Sequence, residues 1–174
     1  MMNERLSSAI DYLREKPVFQ EYPQFRWSTD DVKEVEDVTG LRIPADLKEM
    51  FLESGGISLE NQELYFRGRF PDGTDTVGEI QIMINDADQV IDFHRTLVVS
   101  EETPGRLDPK YIVFGTADGG NSFLMVDGTT DDGAIYFWPL AFHQIGEGDN
   151  AQGVAKVSDS LPEFIEGLRT IDEI

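Results

Sequence analysis

The sequence predicts an α+β domain, a mostly antiparallel sheet of about five to six strands flanked by N-terminal and C-terminal helices. Three observations carry that prediction: apolar stripes of helical spacing near both ends of the chain, period-two alternation between them, and a loop of hairpin length joining two of the alternating runs. At 174 residues the chain is about one domain long, and with 40% hydrophobic and 10% aromatic residues it can fill a single core, so residues 1–174 are expected to form one unit.

Leu6, Ala9, Ile10 and Leu13 recur at i, i+3, i+4 and i+7, which predicts a first amphipathic helix ending before Pro17. Residues 17–27 read as an irregular connector whose Phe19, Tyr22, Phe25 and Trp27 rings pack over the core. A second helix starts at Ser28 or Thr29, where a hydroxyl caps the first turn and Asp30 and Asp31 complement the macrodipole. Val32, Val35 and Val38 form its apolar side, and Gly40 ends it. Pro44 opens a third helix that turns Leu47, Met50 and Phe51 inward and exits through Gly55-Gly56.

From there the period becomes two. Leu64 and Phe66 mark one strand, and Ile80, Ile82 and Ile84 mark another with one shared buried face. Asn85 can cap a helix with Val90, Ile91, His94 and Leu97 on its apolar side, although Leu97-Val98-Val99 also permits a strand at its end. Strand-like runs follow at 111–114, 122–127 and 134–138, the last two joined by Gly-Thr-Thr-Asp-Asp-Gly. Ser160-Leu-Pro-Glu163 has capping-box spacing ahead of a terminal helix with Leu161, Phe164, Ile165 and Leu168 on one side.

Charge narrows the function classes. Thirty-four Asp and Glu against 14 Lys and Arg leave a formal charge of −20, which repels phosphate backbones and anionic headgroups, so direct nucleic-acid binding is not expected. No Lys or Arg occurs across residues 111–155 or 70–94, which concentrates negative potential in the middle and later chain. With no cysteine, disulfides and thiolate metal sites are excluded and a reducing, cytoplasmic compartment is expected. The amino terminus lacks an apolar h-region, and the longest apolar run, 134–142, is only about nine residues with Pro139 inside it, so neither a signal peptide nor a membrane span is predicted.

Catalytic signatures fail one by one. Gly115 to Ser122 has phosphate-loop spacing, but Asn121 stands where lysine is required and a strand-like run follows instead of a helix; a bulged glycine-rich corner accounts for it better. His94 and His143 are not spaced as zinc ligands and read as structural. The Asp127 to Gly133 loop has oxygen ligands, yet Asp132 occupies the glycine position of a calcium loop and the distal glutamate is absent, so a solvated turn is the better account. No cofactor and no metal is expected, and no residue is assigned a catalytic role.

Collectively, Thr39-Gly40-Leu41 with Ile43-Pro44-Ala45-Asp46-Leu47, the exit at Gly55-Gly56, Phe114-Gly115 before Asp118-Gly119-Gly120, and Val126-Asp127 resemble the SUKH superfamily in its Smi/Knr-like branch, from about Ser28 to Leu168. Ser54 stands where the family often has Asn before the double glycine. The resemblance implies an antiparallel α+β domain used in bacteria largely as an immunity protein against secreted toxins, often nucleases, and carries no catalytic residue. The expected partner is a basic toxin domain, met by Asp118, Asp131, Asp132, Glu147 and Asp149 with Trp138 as an exposed aromatic anchor. A scaffold or regulatory module of the Smi/Knr kind, and a small-ligand binder or enzyme, stay open beside that reading.

Overall fold

The computed structural model describes residues 3–17, 19–59, 63–83, 86–102, 104–139 and 153–174. Among them, five α-helices accompany one eight-stranded antiparallel sheet. The helices are α1 (Glu4–Arg14), α2 (Thr29–Thr39), α3 (Ala45–Ser54), α4 (Ala87–Phe93) and α5 (Leu161–Glu166). The strands are β1 (Gln20–Tyr22), β2 (Gly56–Ser58), β3 (Tyr65–Arg69), β4 (Asp75–Ile82), β5 (Tyr111–Ala117), β6 (Ser122–Asp127), β7 (Ile135–Pro139) and β8 (Ala155–Ser158). No helix of the described residues is long and apolar enough to cross a membrane.

Order β1-β2-β4-β3-β8-β7-β6-β5 with a further β4–β5 pairing bends the sheet into a ring. At Ile82, β4 pairs with Ser58 on one edge and Thr116 on the other, and Ile80 pairs with Ala117 while its N–H donates to the Leu64 carbonyl at 3.0 Å. Strands β2 and β3 therefore lie end to end along one edge of β4, and β5 lies along the opposite edge. Six strands, β4-β3-β8-β7-β6-β5, close the barrel, and β1 and β2 extend it.

Gly115 makes the closure possible. A Cβ there would lie 2.7 Å from the Ile82 carbonyl oxygen and 3.1 Å from that of Met83, both backbone atoms that cannot swing aside, so β4 and β5 approach this closely only beside a residue without a side chain. The β5–β6 register shifts between Val113 and Gly115, the bulge that turns the corner.

Helix starts follow their local chemistry. Ser28 caps α2 through a full capping box with Asp31, whose carboxylate accepts the Ser28 N–H at 2.6 Å, and Gly40 ends the helix at φ +68°. Ser160 caps α5 by accepting the Glu163 N–H, but the Glu163 carboxylate returns to the Asp159 N–H instead of to Ser160. The Asn85 cap expected for α4 lies outside the described residues; Asp86 does this work, its carboxylate accepting the Gln89 N–H at 2.8 Å. After α4 the chain widens into a π-turn at His94–Val98, which settles the Leu97-Val98-Val99 alternative against a strand.

Two cores result. The first fills the ring and runs under the helices: Leu6, Ile10 and Leu13 of α1, Leu47, Met50 and Phe51 of α3, and Phe164 of α5 join Phe66, Ile80, Phe114, Leu124 and Phe137. Phe66 packs edge-on to Phe137 and Phe164, centroids 4.9 and 5.5 Å apart, and Trp27 stacks on Phe51 at 3.9 Å. The second lies on the other face of β5, β6 and β7, where Tyr111, Val113, Phe123, Met125 and Trp138 meet Val98, Leu107 and Val154 under the α4 and π-turn layer.

Three expectations about packing are corrected. Val38 is exposed, because the side of α2 that faces the core is narrow and takes only Val32 and Val35. Ile80, Ile82 and Ile84 do not share one buried face: the β4–β5 register shifts between Ile80 and Ile82, so Ile80 and then Met83 are buried while Ile82 is half-buried, and Ile84 lies outside the described residues. The connector at residues 17–27 contains a strand, β1, and although Trp27 is buried and Phe19 packs against the core, Phe25 points into solvent.

Candidate partner-binding surface

Of the six residues expected to meet a partner, the four that are described do not form one face. Asp118 is in the β5–β6 corner at φ +52°, and its carboxylate accepts the Glu79 N–H at 2.8 Å, closing a gap between β4 and β5; its charge is committed to the barrel. Asp131 and Asp132 project from the β6–β7 hairpin beyond the other end of β6, roughly 17 Å away for a strand of that length. Glu147 and Asp149 lie outside the described residues, as does His143.

Trp138 is not an exposed anchor. It is 1% exposed, packed beside Phe123 with ring centroids 6.1 Å apart, because α4 and the π-turn cover the face of β7 that the sequence reading left to solvent. The runs Ser-Phe-Leu-Met-Val-Asp and Ile-Tyr-Phe-Trp carry the signal for this: they are apolar at successive positions, the pattern of strands buried on both faces.

The hairpin tip is built by its own acids. Asp127 accepts the Thr129 N–H at 2.9 Å and the Thr129 hydroxyl, and its other oxygen lies 3.0 Å from Lys110 Nζ. Burial disfavours the Asp127 anion, but the Thr129 and Lys110 contacts outweigh it and hold the carboxyl below its ordinary pKa. Asp132 accepts the Thr130 hydroxyl at 2.7 Å and the Ala134 N–H at 3.2 Å, contacts that lower its pKa as well, with Lys156 adding a favourable field. Thr129, Thr130, Asp131 and Asp132 are exposed, so an internally hydrogen-bonded loop presents two carboxylates to solvent.

Beside this tip runs a cleft of about 530 Å³, lined by Phe70, Pro71, Tyr111, Tyr136 and Val154 on its apolar side and by Arg69, Lys156, Asp159 and Glu163 on its polar side. The Tyr111 and Tyr136 rings lie 5.3 Å apart, with Lys110 Nζ 5.1 Å from the Tyr111 centroid. Each cation is already matched: Arg69 to Asp75 at 2.9 Å, Lys156 to Asp159 at 2.5 Å, and Lys110 to Asp127. Tyr136, two positions before Trp138 and half-buried, is the aromatic that this surface offers instead.

A smaller hollow of about 190 Å³ lies between the starts of α2 and α4, lined by Phe25, Arg26, Asp31, Asp86 and Asp88. Phe25 is 49% exposed, but Asp31 and Asp86 are used as helix caps. His94, the first residue of the π-turn, is buried; burial lowers its pKa, and the Tyr111 backbone contact only partly opposes that. Among the described residues, no group of three or more His, Cys, Asp and Glu is placed to hold a metal ion.

A family model described as SMI1 / KNR4 family (SUKH-1) matches residues 27–167, taking in α2 to α5 and β2 to β8. No curated protein matches the chain.

Proposed function

The chain belongs to the SMI1/KNR4 family (SUKH-1), and from that membership we propose that it is a protein-binding module, an immunity protein that neutralises a basic toxin domain in the cytoplasm. The observation that carries this reading is the pairing of a −20 charge with the solvent-facing Asp131 and Asp132 tip and the tyrosine-walled cleft. A toxin acting on nucleic acid needs a basic substrate cleft, and an acidic cognate can occupy it while its field accelerates encounter. Binding alone suffices for neutralisation, so the protein has no need of a catalytic group.

The test is co-expression with a basic toxin domain, taken first from any toxin gene that adjoins this one. Growth is restored and the two proteins co-purify as a salt-sensitive complex if the reading is right. A toxin that kills regardless, with no complex recovered at low salt, overturns it and favours the regulatory scaffold.

A further inference from the structure

Building on the proposal that the partner is a basic protein, we infer that the tyrosine cleft is the socket for one cationic side chain of that partner, an arginine or a lysine, seated against the Tyr136 ring and the Glu163 carboxylate. The cleft has the size of a small-ligand site, about 530 Å³, and its walls are the right chemistry for a cation. An aromatic face attracts an ammonium or guanidinium through its quadrupole, and this wall already holds one: Lys110 Nζ sits 5.1 Å from the Tyr111 centroid. Tyr136 continues the same aromatic wall, its centroid 5.3 Å from that of Tyr111.

The charge balance selects the sign of the guest. Arg69, Lys156 and Lys110 are each bound to a carboxylate, which leaves Glu163 inside the cleft outside those pairs, with Asp132 close enough to feel the charge of Lys156. An anionic guest would meet cations already neutralised and carboxylates that repel it. A cationic guest gains the Glu163 carboxylate, whose Oε2 is oriented by the Asp159 N–H at 3.1 Å, and the ring of Tyr136. Desolvated aromatic and arginine contacts of this kind concentrate the binding energy of interfaces.

The test titrates the whole protein with N-acetyl-L-arginine amide and N-acetyl-L-lysine amide while following tyrosine ring resonances by NMR, with the neutral isostere N-acetyl-L-citrulline amide as control. The Tyr136 and Tyr111 signals shift saturably with either cation and not with citrulline, and Glu163→Gln and Tyr136→Leu each weaken the apparent affinity on the order of tenfold. Glu163→Gln keeps an acceptor for the Asp159 N–H, so it decides the matter even if Tyr136→Leu fails to fold. No saturable shift, an equal shift with citrulline, or an unchanged affinity in Glu163→Gln overturns the socket. Because no toxin is present, this outcome is independent of whether co-expression restores growth.

Discussion

At the scale of single residues, the barrel depends on positions where one atom too many or one charge too few is felt directly. Gly115→Ala places a methyl group 2.7 Å from the Ile82 carbonyl oxygen, so β4 and β5 must separate; a loss of about 1–3 kcal/mol is expected by urea unfolding, and a variant as stable as the parent would mean that the closure is not tight there. Asp127 gives a pH signature. Its folded pKa lies below the ordinary value, so its stabilisation is complete above the unfolded value of about 4 and is lost as pH falls through the folded value. Asp127→Asn should therefore be less stable than the parent at neutral pH, with a gap that narrows in acid; a gap constant from neutral pH to pH 3 would contradict the assignment.

At the scale of elements, the caps are the most local devices in the chain and were the most legible. Ser28, Gly40 and Ser160 act where the sequence places them, since each needs only its neighbours within a turn. Ser28→Ala removes the acceptor for the Asp31 N–H and should cost about 1 kcal/mol, read as a lower urea midpoint at unchanged slope. The α1, α3 and α5 stripes and the β6–β7 hairpin were equally readable, and all the named residues of those stripes are buried. Elements made by distant pairing were not. β1 is three residues, Gln-Glu-Tyr, with no apolar alternation, held by its ladder to β2 and by the Arg14–Glu21 ion pair, and β8 exists because it bridges β7 and β3. In the candidate site the continuous apolar run around Trp138 signals that it is covered, but nothing near it in sequence reveals that residues 87–98 are the cover, nor that Tyr136, Lys156 and Arg69 share one cleft.

At the scale of the molecule, charge and topology set separate properties. The net −20 acts through its field, so Asp131→Lys combined with Asp132→Lys should slow association with the proposed basic partner about tenfold at low salt, with the difference fading as salt rises; an association rate unchanged at low salt would exclude the hairpin tip from the encounter. Asp132→Lys also removes the acceptor of the Thr130 hydroxyl and the Ala134 N–H, so the double variant should melt slightly lower than the parent while staying folded at the temperature of the kinetics.

The seam between β3 and β8 also dictates a timetable. The ribosome delivers β3 to solvent long before β8, the strand that completes the ring, and Arg5 of α1 must wait for Glu166, 161 residues later, before those two helices can be joined. At about 5–20 residues per second the nascent chain spends several seconds with half a barrel and an undocked first helix, so ring closure and the docking of α1 wait until β8 and α5 have been made. Arresting translation before Ala155 should leave a chain that proteases cut freely, and extending it past Leu168 should confer resistance in one step.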